Sequence, residues 1–496
     1  MEDKYFLQLK NIKKSFGGVR ALKGVNFDIK QGEIHSLVGE NGSGKSTMIK
    51  IISGFYIADS GKMIINGKEY TKISPHYSTL EGIQVIYQDF SNFPNLNVME
   101  NIAIANELAN NYKLVNNKRY RKIALEAMQR IDFKVDLTET VGNLSVADRQ
   151  LVAICRALVK NAKLIVMDEP TSALSKKDVK SLFKVIKELQ KQDISVLFVS
   201  HKIDEVFEIS ERVTIIRNGE NVITENLSKF DTDKFSYYMT GREFKKQETL
   251  SKINNDNGKA LEVRDLNLRN GYYDISFDLN RGEILGVTGL LGSGRNILME
   301  SIFGYRKPDT GEIYIEGKKV KINSVYDALS LGIGYLADDR LTKSLFHSQS
   351  IRINIAVASL DILINFGLLD EAAINKMVNQ LVKKFNIVTS DIYNPVETLS
   401  GGNQQKVVLS RLLALNLKVL ILNGPTIGVD IGAKYDIYQI IRDLAKSGLP
   451  IIIISDDIPE IINNTNRILI MREGQIYSEV QTSDISSTKL ESLIMD

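Results

Sequence analysis

The sequence predicts two tandem α/β domains, each a largely parallel β-sheet covered by helices. Three observations carry that prediction: the length, a motif set that occurs twice, and an alternation of short apolar runs with helical patterns inside each half. The chain has 496 residues, 43% of them hydrophobic, which gives room for two ordinary domains with full cores. The glycine-rich loop ending at Lys45 and Ser46 returns at Arg295 and Asn296, Ser145 returns as Ser400, and Asp168 returns as Asn423, each about 250 positions later. Solenoid units are far shorter than this, so the period implies duplication of a whole domain.

The boundaries follow from composition. A polar run without apolar periodicity over 245–259 reads as a linker between a first domain at 1–244 and a second at 260–496. In the first domain an apolar run at 33–38 leads into the glycine-rich loop, and a helix is expected from about Gly44 to Gly54. Residues 92–140 turn helical and more polar, as an inserted helical lobe would. The basic run 118–122 inside it reads as a solvated helix face. The continuous apolar runs 164–167 and 196–199 are buried parallel strands.

Charge and cysteine content narrow the function. Lys and Arg number 63 against 60 Asp and Glu, so a net charge of +3 gives no general drive toward nucleic acid or acidic lipid. The single Cys155 excludes an intrachain disulfide and a cysteine-cluster metal site, and fits the cytosol. Met1-Glu2-Asp3-Lys4 is charged with no apolar region behind it, so no secretory signal is expected. The most apolar stretch, 355–369, carries Asp361 and Asn365 and is too short and polar for a membrane helix.

The chemistry sits in the motifs. Gly39-Glu40-Asn41-Gly42-Ser43-Gly44-Lys45-Ser46, followed by Thr47, stands between a strand and a helix, the context of a phosphate cradle. Backbone N–H groups and the helix N-terminus would bind phosphates, Lys45 would reach the β and γ groups, and the Ser46 hydroxyl would ligate Mg2+. Asp168 and Glu169 end a buried strand at the sheet edge where open α/β sheets bind ligands. Asp168 suits the magnesium shell, and Glu169 suits polarising a water for attack on the γ-phosphate. Gln88 and His201 end apolar runs on the same expected edge, and Phe16 is a candidate to stack on adenine.

Phosphate loop, Gln88, Leu144-Ser145-Val146-Ala147-Asp148, Asp168-Glu169 and His201, in that order, resemble an ATP-binding cassette domain, and the second half repeats the order. Leu399-Ser400-Gly401-Gly402-Asn403-Gln404-Gln405-Lys406, Met239-Thr240-Gly241-Arg242-Glu243 and Gly428-Val429-Asp430-Ile431-Gly432-Ala433-Lys434 further resemble the tandem ATP-binding subunits of bacterial ribose- and galactose-type importers. That resemblance implies two P-loop cassettes, each with a helical and an antiparallel β subdomain, facing each other head to tail. One site would combine Lys45, Ser46, Gln88, Asp168, Glu169 and His201 with Ser400, Gly401 and Gly402. The other would combine Arg295, Asn296, Asp338, Asn423, Gly424 and Asp456 with Ser145, Val146 and Ala147, and would lack hydrolysis. Asp338 and Asp456 are expected there as added negative charge near phosphate.

The resemblance also implies partners: two transmembrane permease subunits and an extracytoplasmic solute-binding protein, with this chain peripheral on the cytoplasmic face of a bacterial membrane and no nucleic acid bound. ATP and Mg2+ are the implied cofactors and sugar the first expected solute. Nucleosides or an autoinducer-2-type furanone are alternatives, the latter because Asn92-Phe93-Pro94 and 146–150 are similar to that group. A soluble tandem cassette protein acting on ribosomes or DNA is the rival from another class; such proteins usually keep two working sites and a long charged linker. Ser175 departs from the family, which usually has aspartate there, and Asn423-Gly424 departs from relatives that keep carboxylates.

Overall fold

The structure is a computed structural model and describes residues 4–87, 92–109, 115–172, 174–243, 250, 258–338, 344–365 and 368–495. The chain divides into two compact units, Met1–Phe244 and Lys245–Asp496, with the same element order in each apart from a 3-10 segment and a small hairpin in the second. In the first unit, β1 (Tyr5–Phe16), β2 (Val19–Lys30) and β3 (Ile34–Val38) precede α1 (Lys45–Ile52), then β4 (Ser60–Ile65), β5 (Lys68–Tyr70), α2 (Pro75–Leu80) and β6 (Ile83–Ile86). The helices α3 (Val98–Ala109), α4 (Asn117–Gln129) and α5 (Val146–Val159) follow. The unit ends with β7 (Leu164–Asp168), α6 (Lys176–Lys191), β8 (Ser195–Val199), α7 (Ile203–Ile209), β9 (Arg212–Arg217), β10 (Glu220–Asn226) and α8 (Thr232–Thr240).

Two sheets result. One is antiparallel, in the order β2-β1-β4-β5; the other, β10-β9-β3-β8-β7-β6, is parallel except for β10. Both faces of a parallel sheet are covered, and β3 and β8 are buried at every position, which is why they read as unbroken apolar runs. The helical lobe extends further than its sequence limits suggested, because α5 packs with α3 and α4 through Val152, Ile154 and Cys155. On α4, Lys118, Arg121 and Lys122 are exposed while Tyr120 is buried, so the basic run does face solvent.

Burial pushes the Cys155 thiol up to about 12. A thiol in that state has almost no thiolate, the reactive form, at neutral pH. Iodoacetamide is therefore expected to leave the folded chain unlabelled and to label it in guanidinium. Rapid labelling of the native chain would mean that α5 opens.

The second unit runs β11 (Lys259–Leu268), β12 (Tyr272–Asn280), β13 (Ile284–Thr288), α9 (Arg295–Ile302), β14 (Thr310–Ile315), β15 (Lys318–Val320), α10 (Val325–Ser330) and β16 (Ile333–Leu336). After α11 (Ile351–Ala356) come a 3-10 segment, Val357–Leu363, and a small hairpin of β17 (Ile364–Asn365) and β18 (Leu368–Leu369). Helices α12 (Glu371–Lys384) and α13 (Gly401–Leu413) lead to β19 (Val419–Asn423), α14 (Ile431–Lys446), β20 (Ile451–Ile454), α15 (Ile458–Asn464), β21 (Arg467–Arg472), β22 (Gln475–Gln481) and α16 (Ser487–Met495). Its sheets, β12-β11-β14-β15 and β16-β19-β20-β13-β21-β22, repeat the first unit's order element for element. The apolar stretch 355–369 is thus mostly 3-10 turn and hairpin, and no described helix is long and apolar enough to cross a membrane. Within the 245–259 stretch, Leu250 packs on the second unit's core and Lys259 already belongs to β11; 245–249 and 251–257 lie outside the described residues.

Candidate functional site

The loop between β3 and α1 is shaped by backbone geometry that only certain residues permit. Gly44 is the N-cap of α1 at φ 108°, and a Cβ there would stand 2.8 Å from the Ala21 carbonyl oxygen, so the position excludes side chains. The helix therefore opens without a side-chain cap, and its first-turn N–H groups face the loop. The Ser43 hydroxyl is buried with no hydrogen-bond partner. Lys45 is 7% exposed and donates to the carbonyls of Gly39 at 2.7 Å and Glu40 at 2.9 Å. A buried ammonium held by loop carbonyls, beside unsatisfied donors at a helix N-terminus, fits an incoming polyphosphate.

A cavity of about 490 Å³ opens on this loop. Asn41, Gly42, Gly44, Lys45, Ser46 and Thr47 line it from below, with Asp168 and Glu169 at the end of β7. Val19, Arg20, Ala21 and Lys23 of β2, with Asn218, form a wall that the sequence reading missed. Phe16 is not part of the described lining; it is 40% exposed, its ring 5.0 Å from Tyr56 with the Lys14 ammonium 5.4 Å from its centroid. Gln88 lies outside the described residues.

The two carboxylates are in different electrostatic states. Burial, then the adjacent Glu169 charge, raises the Asp168 pKa above the ordinary carboxylate value. Glu169 moves the other way, because its hydrogen bond with His201 outweighs burial. A carboxylate only accepts, so His201 Nδ1 carries the proton that it donates to Glu169 Oε1 at 3.0 Å. Glu169 also sits in left-handed backbone at φ 48°, where a side chain costs about 1–3 kcal/mol. The described atoms thus bring Lys45, Ser46, Asp168, Glu169 and His201 to one sheet edge.

The model of the ABC transporter family matches residues 22–172 and 272–427, once in each half. Over 98% of its length the chain is 37% identical to the ribose import ATP-binding protein RbsA of Bacillus subtilis (strain 168), covering 99% of that protein. It is 39% identical to RbsA of Lacticaseibacillus paracasei over 95% of this chain and 94% of that one. The chain belongs to the ABC transporter family. It is an ABC-type ATPase with two tandem cassettes.

The second cassette keeps the loop's backbone and changes its chemistry. Gly294 caps α9 in the same left-handed conformation, and Ser293 N–H bonds Leu290 O at 3.0 Å as Ser43 N–H bonds Glu40 O at 3.1 Å. Arg295, 7% exposed, replaces Lys45; it donates to Gly289 O and forms an ion pair with Asp456. Asp456, expected there as added negative charge, is thus paired with that guanidinium. Asn423 donates to the Tyr335 hydroxyl at 3.3 Å. Gly424 takes the Glu169 position with nearly the same φ, 58°, and the same kind of backbone bond, to Ile454 O at 2.9 Å.

The two signature helices of these cassettes also differ at their first turns. In the second, Ser400 is the N-cap of α13 but gives no side-chain cap; its hydroxyl takes a hydrogen bond from Asn403 Nδ2 at 3.0 Å, leaving the first-turn N–H groups uncapped by side chains. A Cβ on Gly402 would run into Ala433 of α14, so the glycine permits that close packing. In the first, Ser145 caps α5 by accepting from Asp148 N–H at 3.1 Å, and its hydroxyl donates to Asp148 Oδ2 at 2.7 Å. Asn92 ties to this helix by donating from Nδ2 to Arg149 O at 2.8 Å.

Proposed function

We propose that this chain hydrolyses ATP at the first cassette's cavity and thereby powers import of a sugar through separate membrane permease subunits. The observation that carries this reading is Glu169: strained backbone is kept where the carboxylate meets the cavity and His201, while the second cassette relaxes the same position to glycine. Lys45 and the α1 N-terminus bind the phosphates, and His201 orients Glu169, the group that activates the attacking water. Ser46 and Asp168, with Gln88 by the family resemblance, would hold Mg2+, which would neutralise phosphate charge. The buried, unpartnered Ser43 hydroxyl and the uncapped helix turn support nucleotide there.

In this reading Ser400, Gly401 and Gly402 of the second cassette complete the site, and the boundary between cassettes falls in 245–259. The chain sits on the cytoplasmic face of a bacterial membrane with two permease subunits and a solute-binding protein. Relatives named for ribose import support a sugar cargo. Deleting the gene in its source organism and following radiolabelled ribose tests it. Loss of ribose uptake is the expected result; intact ribose uptake with loss of nucleoside or furanone uptake would move the cargo to those classes, and no transport defect at all would favour a soluble role.

Arg20 gives a second test of the site. It lines the cavity on β2 beside Lys23, whose ammonium lies 3.5 Å from Glu220. A guanidinium on that wall holds phosphate or ribose in ground and transition state alike. Arg20→Ala is therefore expected to raise the KM for ATP by about tenfold, with kcat nearly unchanged, a uniform-binding loss. A fall in kcat at constant KM would place Arg20 in the chemical step instead.

A further inference from the structure

Glu169 and His201 stand on two separate chain exits, the segments that leave β7 and β8, and their mutual aim depends on what holds those segments together. The Glu169 N–H donates to the Val199 carbonyl at 2.9 Å, which joins the exits at their start. Two residues further along, a third group takes over. Glu205, in the first turn of α7, accepts on Oε2 from the Thr171 hydroxyl at 2.5 Å and from the Ser200 hydroxyl at 3.3 Å. Its Oε1 accepts from the Lys202 ammonium at 2.9 Å, and that ammonium also donates to the Thr171 carbonyl at 3.2 Å. Thr171 and Ser200 are each 2% exposed, so their hydroxyls reach the carboxylate in charge-assisted bonds shielded from water. The Lys202 N–H closes the turn on Ser200 Oγ at 3.1 Å. His201 is thereby gripped through both of its neighbours, and Glu169 through the residue two beyond it.

The second unit keeps part of this arrangement. The Thr426 hydroxyl meets Glu460, and Ser455 donates to Glu460 Oε2 at 2.8 Å. Lys202, however, is replaced by Asp457, and Glu169 and His201 by Gly424 and Asp456. The hydroxyl grip thus belongs to the shared fold, and the first unit adds to it a local cation and the pair to be aimed. Strained backbone such as that of Glu169 persists only where its surroundings over-determine it. A clamp on the residue two positions on supplies such a constraint.

We infer that Glu205 is a positioning residue for hydrolysis, acting through Thr171, Ser200 and Lys202 to keep Glu169 and His201 within one hydrogen bond of each other. This rests on the proposed reading of the first cavity as the hydrolytic site.

Glu205→Gln in the full chain, alone and combined with Glu169→Gln, tests the inference by single-turnover ATP hydrolysis and by ATP binding. The amide puts an NH2 donor where one accepting oxygen stood, so one arm of the clamp is lost. Alone, the substitution is expected to lower the hydrolysis rate by about tenfold or more with ATP affinity unchanged. Added to Glu169→Gln it is expected to lower the rate no further, because the group it aims is gone. No fall in the parent, an equal fall in both backgrounds, or a loss confined to affinity and Tm overturns the inference, since a purely structural contact gives one of these. Parent-like turnover in Glu169→Gln alone overturns the reading of the first cavity, and this inference with it. Should Glu205→Gln fail to fold, Thr171→Val removes one hydroxyl and keeps the side chain's shape; the same dependence on Glu169 is expected, and an unchanged rate there overturns the proposal.

Discussion

Glu169→Gln is expected to lower ATP turnover by roughly 10²- to 10⁴-fold while ATP binding persists. The size follows from what the substitution removes. Gln keeps the length and polarity of the side chain and leaves the left-handed backbone at φ 48° in place, but it has no charge to accept a proton from water. The hydrogen bond with His201, which holds the Glu169 pKa below its ordinary value, keeps this carboxylate ionised and aimed. A base whose pKa is lowered is a weaker proton acceptor, so its contribution comes chiefly from position and from charge in the transition state. Asn423→Ala in the second cassette is expected to change turnover little, since Asn423 meets a tyrosine hydroxyl and no acidic partner follows it. Single-turnover measurement of both variants checks the pair; comparable losses would sink the asymmetric reading.

Much of the first site was legible in the sequence because its chemistry fixes short-range spacing. A phosphate cradle needs a strand, a glycine at left-handed φ and a helix start within a few residues, and β3, Gly44 and α1 supply them in that order. The helix itself is shorter than expected, ending at Ile52, with Gly54 in the left-handed turn beyond. The cavity wall was not legible, since Arg20 and Lys23 belong to an antiparallel strand with no motif and reach the loop only through tertiary folding. The Arg295–Asp456 pair was hidden for the same reason: it joins the first residue of α9 to the segment after β20, far along the chain.

The Ser145 cap was readable. Ser145 stands three residues before Asp148, the spacing at which a serine hydroxyl accepts from a first-turn N–H, here that of Asp148, and it donates in turn to the Asp148 carboxylate. The Ser175 departure has an equally local explanation. Ser175 caps α6 through Asp178 N–H at 3.3 Å, as Asp430 caps α14 through Ala433 N–H at 2.8 Å, so serine preserves the aspartate's structural role.

Ser400→Arg, a change in the second cassette, is expected to stop hydrolysis attributed to the first, lowering turnover by about 10²-fold or more. Ser400 is exposed, and its hydroxyl bonds only the Asn403 side chain among the contacts at this helix start, so an arginine there leaves the α13 packing of Gly402 and Gln405 undisturbed. Fold and function therefore separate: the thermal midpoint should stay put while turnover falls, because a long side chain would sterically block the N–H groups proposed to complete the phosphate site. Ser145→Arg is the matched control. It removes a real helix cap, the bond from Asp148 N–H to the Ser145 hydroxyl, and so should destabilise the chain by about 1 kcal/mol, yet it should leave turnover nearly intact if the first signature takes no part in the first cassette's reaction. If Ser400→Arg turned over normally, the second signature would have no part in the first cassette's reaction, and the head-to-tail pairing would fall with it.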